Sequence, residues 1–253
     1  MVPPAGKYYC NTYSFSEKGP VRDNNEDYLL IDYPEKHTAT VFAILADGMG
    51  GHNAGEVASN IACIAARNYI AEHYNQHNVP AMLEAMMQHV QSTILYTATR
   101  QTAYEGMGTT ATALFIRHNT AYYAHIGDSR LYLLRNHKLL QCTNDDSLVS
   151  KMVKEGLLTE KEAADHYLKN VLTQALGSET PVTPQISAAI PLQPADRFLL
   201  CSDGAYNILN KKDLNILLQL KQPEKALEKI RMLCIEREAE DNFSCVLVVI
   251  NNQ

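Results

Sequence analysis

Acidic residues recur at the edges of apolar runs, and that placement is where chemistry could arise. Asp47 follows VFAILA, Asp203 follows FLLCS, and Asp128 follows AYYAHIG. Asp241 immediately precedes NFSCVLVVI, and the pair Glu26-Asp27 precedes YLLI. Any one of them can be ordinary turn chemistry, the Asp-Gly steps at 47–48 and 203–204 above all. Together they are harder to dismiss. If the strand ends converge, several carboxylates share a poorly solvated pocket, where like charges raise one another's pKa or demand a compensating cation. No Cys/His cluster accompanies them, and an all-oxygen donor set suits Mg²⁺ or Mn²⁺. Gly48 and Gly204 leave main-chain carbonyls accessible, which hard cations also accept.

Oxygen-ligated metal pairs serve phosphoryl chemistry. Two ions ~3.5–4 Å apart can turn a bridging water into a nucleophile and hold the phosphoryl oxygens. Such a mechanism needs no protein nucleophile, and the sequence offers no G-x-S-x-G, no P-loop, and no Cys followed six residues later by Arg. Arg22, four residues before Glu26, could clamp a phosphate bidentately. It could equally be a solvated surface arginine.

These residues need a frame of strands to bring them together. Tyr28–Ile31 and Thr40–Ala46 read as strands, aliphatic runs bounded by turn formers. A helix is expected to start near Asn53, with Glu56 three residues on as a relative of the capping box. Val57, Ile61, Ile64 and Ala65 continue it at helical spacing, and Leu83, Met86, Met87, Val90 and Ile94 mark a second helix. Strand patterns return at Thr110–Ile116, Thr120–Ile126 and Arg130–Arg135, the last closed by a hairpin turn at Asn136-His137. From Ser147 to Leu176 the expectation is mostly helix, broken at Gly156. Strands are then expected at Gln185–Ile190 and Arg197–Cys201, helices at Asp213–Leu220 and Pro223–Glu236, and a closing buried strand at Phe243–Ile250. Grouped strands flanked by grouped helices favour an antiparallel α+β layered domain over a parallel βαβ fold.

Composition sets the outer limits. The chain has 253 residues, 46% apolar and 20% charged, which argues against disorder and permits one domain without staples. A net charge of −6 argues against a general nucleic-acid binder. No apolar run approaches the roughly 18 residues of a membrane helix. MVPPAGKYYCNTYSFSEKG lacks the apolar core of a secretory signal. Cys10, Cys63, Cys142, Cys201, Cys234 and Cys245 are scattered without a C-x-x-C pair, as expected of reduced thiols. The expectation is a cytoplasmic protein.

At these residues the chain resembles the metal-dependent serine/threonine protein phosphatases of type 2C, the PPM family, most closely their bacterial branch. The matching blocks are RDNNED at 22–27, FAILADGMGGHNAGEVAS at 42–59, GMGTTATALF at 106–115 and HIGDSRLYLL at 125–134. They continue with KNVLTQALG at 169–177, LLCSDGAYNIL at 199–209 and DNFSCVLVV at 241–249. They stand in the family's order with family-like spacing, across nearly the whole chain.

The resemblance implies a four-layer α-β-β-α sandwich, two central antiparallel β-sheets with helices outside, formed as one catalytic domain over residues 1–253 with a flap at about 147–169. It implies two Mn²⁺ or Mg²⁺ ions, with a third, weaker one in some bacterial members. Asp47 matches the carboxylate bridging both ions, Gly48 the main-chain carbonyl ligand, and Asp203 and Asp241 the remaining direct ligands. Asp128 matches the ligand of the third ion, which Asp203 also reaches. Glu26 and Asp27 match acids that hold metal-bound waters, and Arg22 the phosphate-binding arginine. The implied reaction is hydrolysis of phosphoserine and phosphothreonine in proteins by a metal-activated water, with a serine/threonine kinase working in opposition and the phosphatase itself a monomer.

Three departures from the pattern stand out. Met49 occupies the place of a His that members from other kingdoms carry as a proposed general acid, so a metal-bound water inherits the proton donation. Asp145-Asp146-Ser147 stands where bacterial members usually read Asp-His-Ser, and Asp146 adds negative charge beside the flap. Ala239-Glu240 replaces the usual Gly pair before Asp241. None of these removes a ligand. His52 tempts as a ligand, but hard ions prefer oxygen and a polar residue before a helix start has an ordinary use. Two rival readings are a phosphoprotein-binding module that keeps the fold without turnover, and a hydrolase of small phosphorylated metabolites.

Overall fold

The computed structural model describes residues 8–35, 40–50 and 54–252. In chain order, β1 (Tyr8–Glu17), β2 (Asp27–Asp32) and β3 (Val41–Met49) precede two long helices, α1 (Ala54–His73) and α2 (Val79–Ala98). A run of strands follows: β4 (Gly108–Thr109), β5 (Ala111–Arg117), β6 (Thr120–Ile126), β7 (Arg130–Arg135) and β8 (Lys138–Gln141). The short helices α3 (Leu148–Lys154) and α4 (Glu160–Ala164) lead into β9 (Gln185–Ile186), β10 (Ile190–Pro191) and β11 (Arg197–Cys201). The chain ends with α5 (Asp203–Tyr206), α6 (Lys211–Leu217), α7 (Pro223–Glu236) and β12 (Phe243–Asn252).

The strands form two antiparallel sheets, one ordered β1-β12-β11-β7-β8 and the other β10-β6-β5-β3-β2, with β4 on β3 and β9 on β6. Alternation along the central strands explains the layering. On β3, Val41, Ala43 and Leu45 pack with Val246, Val248 and Ile250 of β12 between the sheets. Phe42, Ile44 and Ala46 of the same strand pack outward against α1 and α2. On β12, Cys245, Leu247 and Val249 likewise meet α6 and α7. A strand buried on both faces needs an unbroken apolar run, which is why FAILA and CVLVVI carry no polar alternation. The four-layer α-β-β-α sandwich follows. Among the described residues no helix is long and apolar enough to cross a membrane.

Most expected elements are present. β6, β7, β11 and α7 have the expected bounds, and Pro223 opens α7. Asn136 and His137 both take positive φ (50° and 63°), the two left-handed residues that a tight hairpin requires. The helix cap expected at Asn53 lies outside the described residues, as does His52; Glu56 instead accepts from the Asn24 side chain at 2.9 Å.

Two expectations are corrected. Only α3 and α4 are helical between 147 and 176; residues 165–176 run irregularly, Leu172 bridging Ser147 and Leu176 bridging Thr109. The strand expected at Gln185–Ile190 is two fragments, β9 and β10, because it lies at the sheet edge where pairing is easily interrupted. The edge strand β1 has only a half-buried alternating pattern, and its polar Asn, Thr and Ser positions hide it among loop-like residues. Among the described cysteines all are free, and burial pushes the Cys201 thiol up to about 12, which makes it a packing group.

Candidate metal centre and phosphate cleft

The acids converge because strand ends from both sheets reach one edge of the sandwich. Asp47 sits near the end of β3, directly opposite Asp27 on β2. Asp128 follows β6 after Gly127, Asp203 opens α5 where β11 ends, and Asp241 lies two residues before β12. Arg22, Asp47, Gly48, Asp128, Asp203 and Asp241 line one cleft of about 500 Å³, and Glu26 joins its wall. The far side is formed by residues 172–175 of the segment returning from α4. Asp27 is the exception: it lies behind the wall, buried, with its Oδ2 accepting from Ser202 Oγ at 2.7 Å.

Main-chain geometry holds the ring. Gly48 N donates to Glu26 O at 3.1 Å, locking the Arg22–Glu26 loop to β3. A Cβ at Gly48 would fall 2.1 Å from Gly55 O and 2.7 Å from Glu26 O, so only glycine permits α1 and this loop to close on the strand. Asp47 N donates to Thr110 Oγ1 at 3.0 Å. Asn242 pins the loop from the other sheet: its amide donates to Lys18 O and Asn24 O, both at 2.8 Å, and its Oδ1 accepts from Glu26 N at 2.9 Å. Tyr206 on α5 donates its hydroxyl to Asp128 O at 3.1 Å. Arg22, half exposed, donates to Asp241 Oδ2 at 2.6 Å and to Glu240 O at 3.3 Å.

This crowding has an electrostatic cost. Burial first, then the neighbouring Asp27, Asp203, Asp128 and Asp241, drives Asp47 well above the ordinary carboxylate range. Burial and the charge of Asp203 push Asp128 up to about 8. Burial, against the hydrogen bond from Ser202, leaves Asp27 at about 7. Burial and Asp241 raise Asp203 to about 6, and Glu26 rises for the same first reason. Acids placed this way hold protons near neutrality unless a cation replaces them.

The donors fit hard divalent cations. They are carboxylates and main-chain carbonyls, and the buried Oδ1 atoms of Asp203 and Asp27 have no hydrogen-bond partner in the protein. Among the described residues no three acidic, imidazole or thiol side chains already close on a single point. Ions of the Mg²⁺ type keep several waters and take only one or two carboxylates each. Meanwhile Arg22 neutralises one oxygen of Asp241.

Sequence reasoning missed the supporting residues Thr110, Tyr206 and Asn242 and the wall at 172–175. Asn242 left the clearest trace, an Asn beside an acid at a strand start, where its amide is suited to pin neighbouring backbone.

Residues 21–238 match the family model for protein phosphatase 2C. The protein phosphatase PhpP of Streptococcus pneumoniae is 32% identical over 240 residues, 94% of this chain and 96% of that protein. The solved catalytic domain of the serine/threonine protein phosphatase PstP in complex with two manganese ions is 32% identical, with a TM-score of 0.85 over 97% of this chain and all of that one. The serine/threonine phosphatase Stp1 of Staphylococcus aureus has a TM-score of 0.90 at 27% identity, covering 98% of each chain.

Proposed function

This chain belongs to the protein phosphatase 2C family and is a serine/threonine protein phosphatase, and from that premise we propose that it hydrolyses phosphoserine and phosphothreonine with water activated by two divalent cations held in the acidic cleft. The observation that carries this reading is the meeting of Asp47, Asp203 and Asp241 with Arg22 and Gly48 around one cleft. Asp47, Asp203, Asp241 and the Gly48 carbonyl would hold the two ions, with Asp128 and Asp203 available to a third. Mn²⁺ or Mg²⁺ would supply an acidified water as nucleophile and charge neutralisation at the phosphoryl oxygens.

The chain's own residues do the rest. Arg22, held at the wall by Asp241, presents a planar fork that matches two phosphoryl oxygens. Glu26, tied to Gly48 and Asn242 through its main chain, stands where it can accept hydrogen bonds from water entering the cleft. Met49 lines the cleft and has no proton to give, so the leaving alkoxide takes its proton from water. The whole chain acts as one catalytic domain whose flap, at about 147–169, borders the site. Its substrates are phosphorylated proteins, targets or members of an opposing serine/threonine kinase system. It works as a monomer in the cytoplasm.

Turnover of p-nitrophenyl phosphate and of a phosphothreonine peptide, with Mn²⁺ and with EDTA, tests the reading. Activity lost to EDTA, restored by Mn²⁺ and absent from Asp203→Asn is expected. Activity that survives both would contradict it, and preference for sugar phosphates over phosphopeptides would move the substrate class to metabolites.

A further inference from the structure

Asp146, the acid standing where bacterial members of the family usually carry His, does not face the cleft. Its carboxylate points into the protein: Oδ2 accepts from Gly127 N at 3.0 Å and Oδ1 from Gln185 Nε2 at 3.3 Å. Its own N–H donates to Gly127 O at 2.7 Å, so residues 127 and 146 close a two-bond ring. Its carbonyl accepts from Thr173 N at 2.7 Å, and Thr173 is part of the cleft wall that returns from the flap. One residue thus joins the turn before Asp128 to the wall opposite.

The turn it grips is a sensitive one. Gly127 has φ +104°, a conformation that side-chain-bearing residues rarely adopt, and a Cβ there would fall 2.6 Å from Thr110 Cβ. Thr110 is the residue whose hydroxyl accepts from Asp47 N. The next residue is Asp128, and its carbonyl is held by Tyr206. The Tyr206 ring lies 3.6 Å beneath the Arg130 guanidinium, which Asp145 pairs bidentately, at 2.6 Å on its shorter side. Asp145 and Asp146 therefore bracket Asp128 from its two flanks.

We propose that Asp146 is a positioning residue: its carboxylate fixes the Gly127 turn that delivers Asp128 to the cleft, while its main chain carries the flap's returning segment, so that movement of the flap is passed to Asp128. The proposal rests on the reading of Asp128 as a cation-holding acid. The carboxylate at 146 is hydrogen-bonded by Gly127 and Gln185 and does not line the cleft.

The test has one arm without metal and one with it. In the chelated protein, amide exchange across residues 125–129 should accelerate about tenfold in Asp146→Ala, since the carboxylate is the Gly127 N–H acceptor. It should stay near wild type in Asp146→Asn, whose amide oxygen can still accept that N–H. With Mn²⁺, Asp146→Ala should lower kcat about 10–100-fold, the range for groups that orient a metal ligand, with KM for p-nitrophenyl phosphate little changed. In an Asp128→Ala background the same change should cost almost nothing further, because both substitutions remove one function. If the alanine variant does not fold, Asp146→Glu, with the charge kept and the reach wrong, carries the same expectation.

An Asp146→Ala loss that adds in full to that of Asp128→Ala, or unchanged exchange at 125–129, would overturn the proposal. A silent Asp128→Ala would instead fault the cation reading, and the proposal would fall with it.

Discussion

The two walls of the cleft are built on different principles. One is the ends of strands buried on both faces: β3, β11 and β12 carry Phe42, Ile44, Leu199, Leu200, Val246 and Leu247, all without solvent exposure. The acids Asp47, Asp203 and Asp241 inherit their positions from that packing. The other wall is the segment from Ser147 to Leu176, two helices of five and seven residues joined by irregular chain. Few of its apolar side chains are buried, Val149, Ala163 and Leu176 among them, while Tyr167 is 86% and Leu157 64% exposed. The contrast separates two tasks. Crowded carboxylates must be held against their own repulsion, which only a stiff frame can do. The opposite wall carries no such crowd of like charges, and main-chain bonds with Thr109 and Asp146 hold it at a few points.

Substitutions in the two walls should differ sharply in effect. The largest effect is expected at Asp47→Asn, which removes a charge placed between both proposed ions: turnover should fall by on the order of 10³ or more while the melting transition persists. Retention of most activity would mean that Asp47 is no more than a strand-end turn. Next is Arg22→Lys, which keeps the charge and loses the fork; a loss of about 10–100-fold in kcat/KM is expected for one charge-assisted bidentate contact. Equal kinetics would make Arg22 an exposed arginine whose pairing with Asp241 is incidental.

The stability of the chelated protein should depend on pH in an unusual direction. Asp128 at about 8, Asp27 at about 7 and Asp203 at about 6 all lie above the ~4 of an unfolded aspartate, so the folded form binds more protons through that window. Stability is then greatest at low pH and is lost as pH rises from about 5 to 8. Melting temperature in EDTA should fall across that range, and Mn²⁺ should raise it most at the alkaline end. Equal melting at pH 5 and 8 would show that burial and neighbouring charge do not raise these acids. The smallest effect is expected on the other wall: Tyr167→Ala should change stability by no more than about 0.5 kcal/mol, the range for exposed positions. A loss of several kcal/mol there would show that the flap is part of the core after all.

The legible parts of the sequence were those under a single dominant constraint. β11, β12 and α7 announced themselves through unbroken apolar runs or a helical stripe opened by proline, because burial on both faces or one face allows no other composition. Asp47, Asp128, Asp203 and Asp241 were legible because a charge at the edge of a buried run is conspicuous. The segment 165–176 was not, since its shape is set by bonds to distant partners: Leu176 with Thr109, Leu148 with Val171, and Thr173 with Asp146. The partners of Asp146 were hidden for the same reason: its charge beside the flap is legible, but only the fold brings Gly127 to its carboxylate. Asn242 and Tyr206 also serve partners far away in the chain, and no local spacing marks them.

Calorimetric titration of Mn²⁺ into the chelated protein near pH 7 asks, without any substrate, whether these carboxylates hold the cations. Two tight ions per chain, protons released on binding in proportion to the raised acids, and loss of that binding in Asp203→Asn are the predicted results. Binding that releases no protons and persists in Asp203→Asn would contradict it, because the cations would then be seated somewhere other than among these carboxylates.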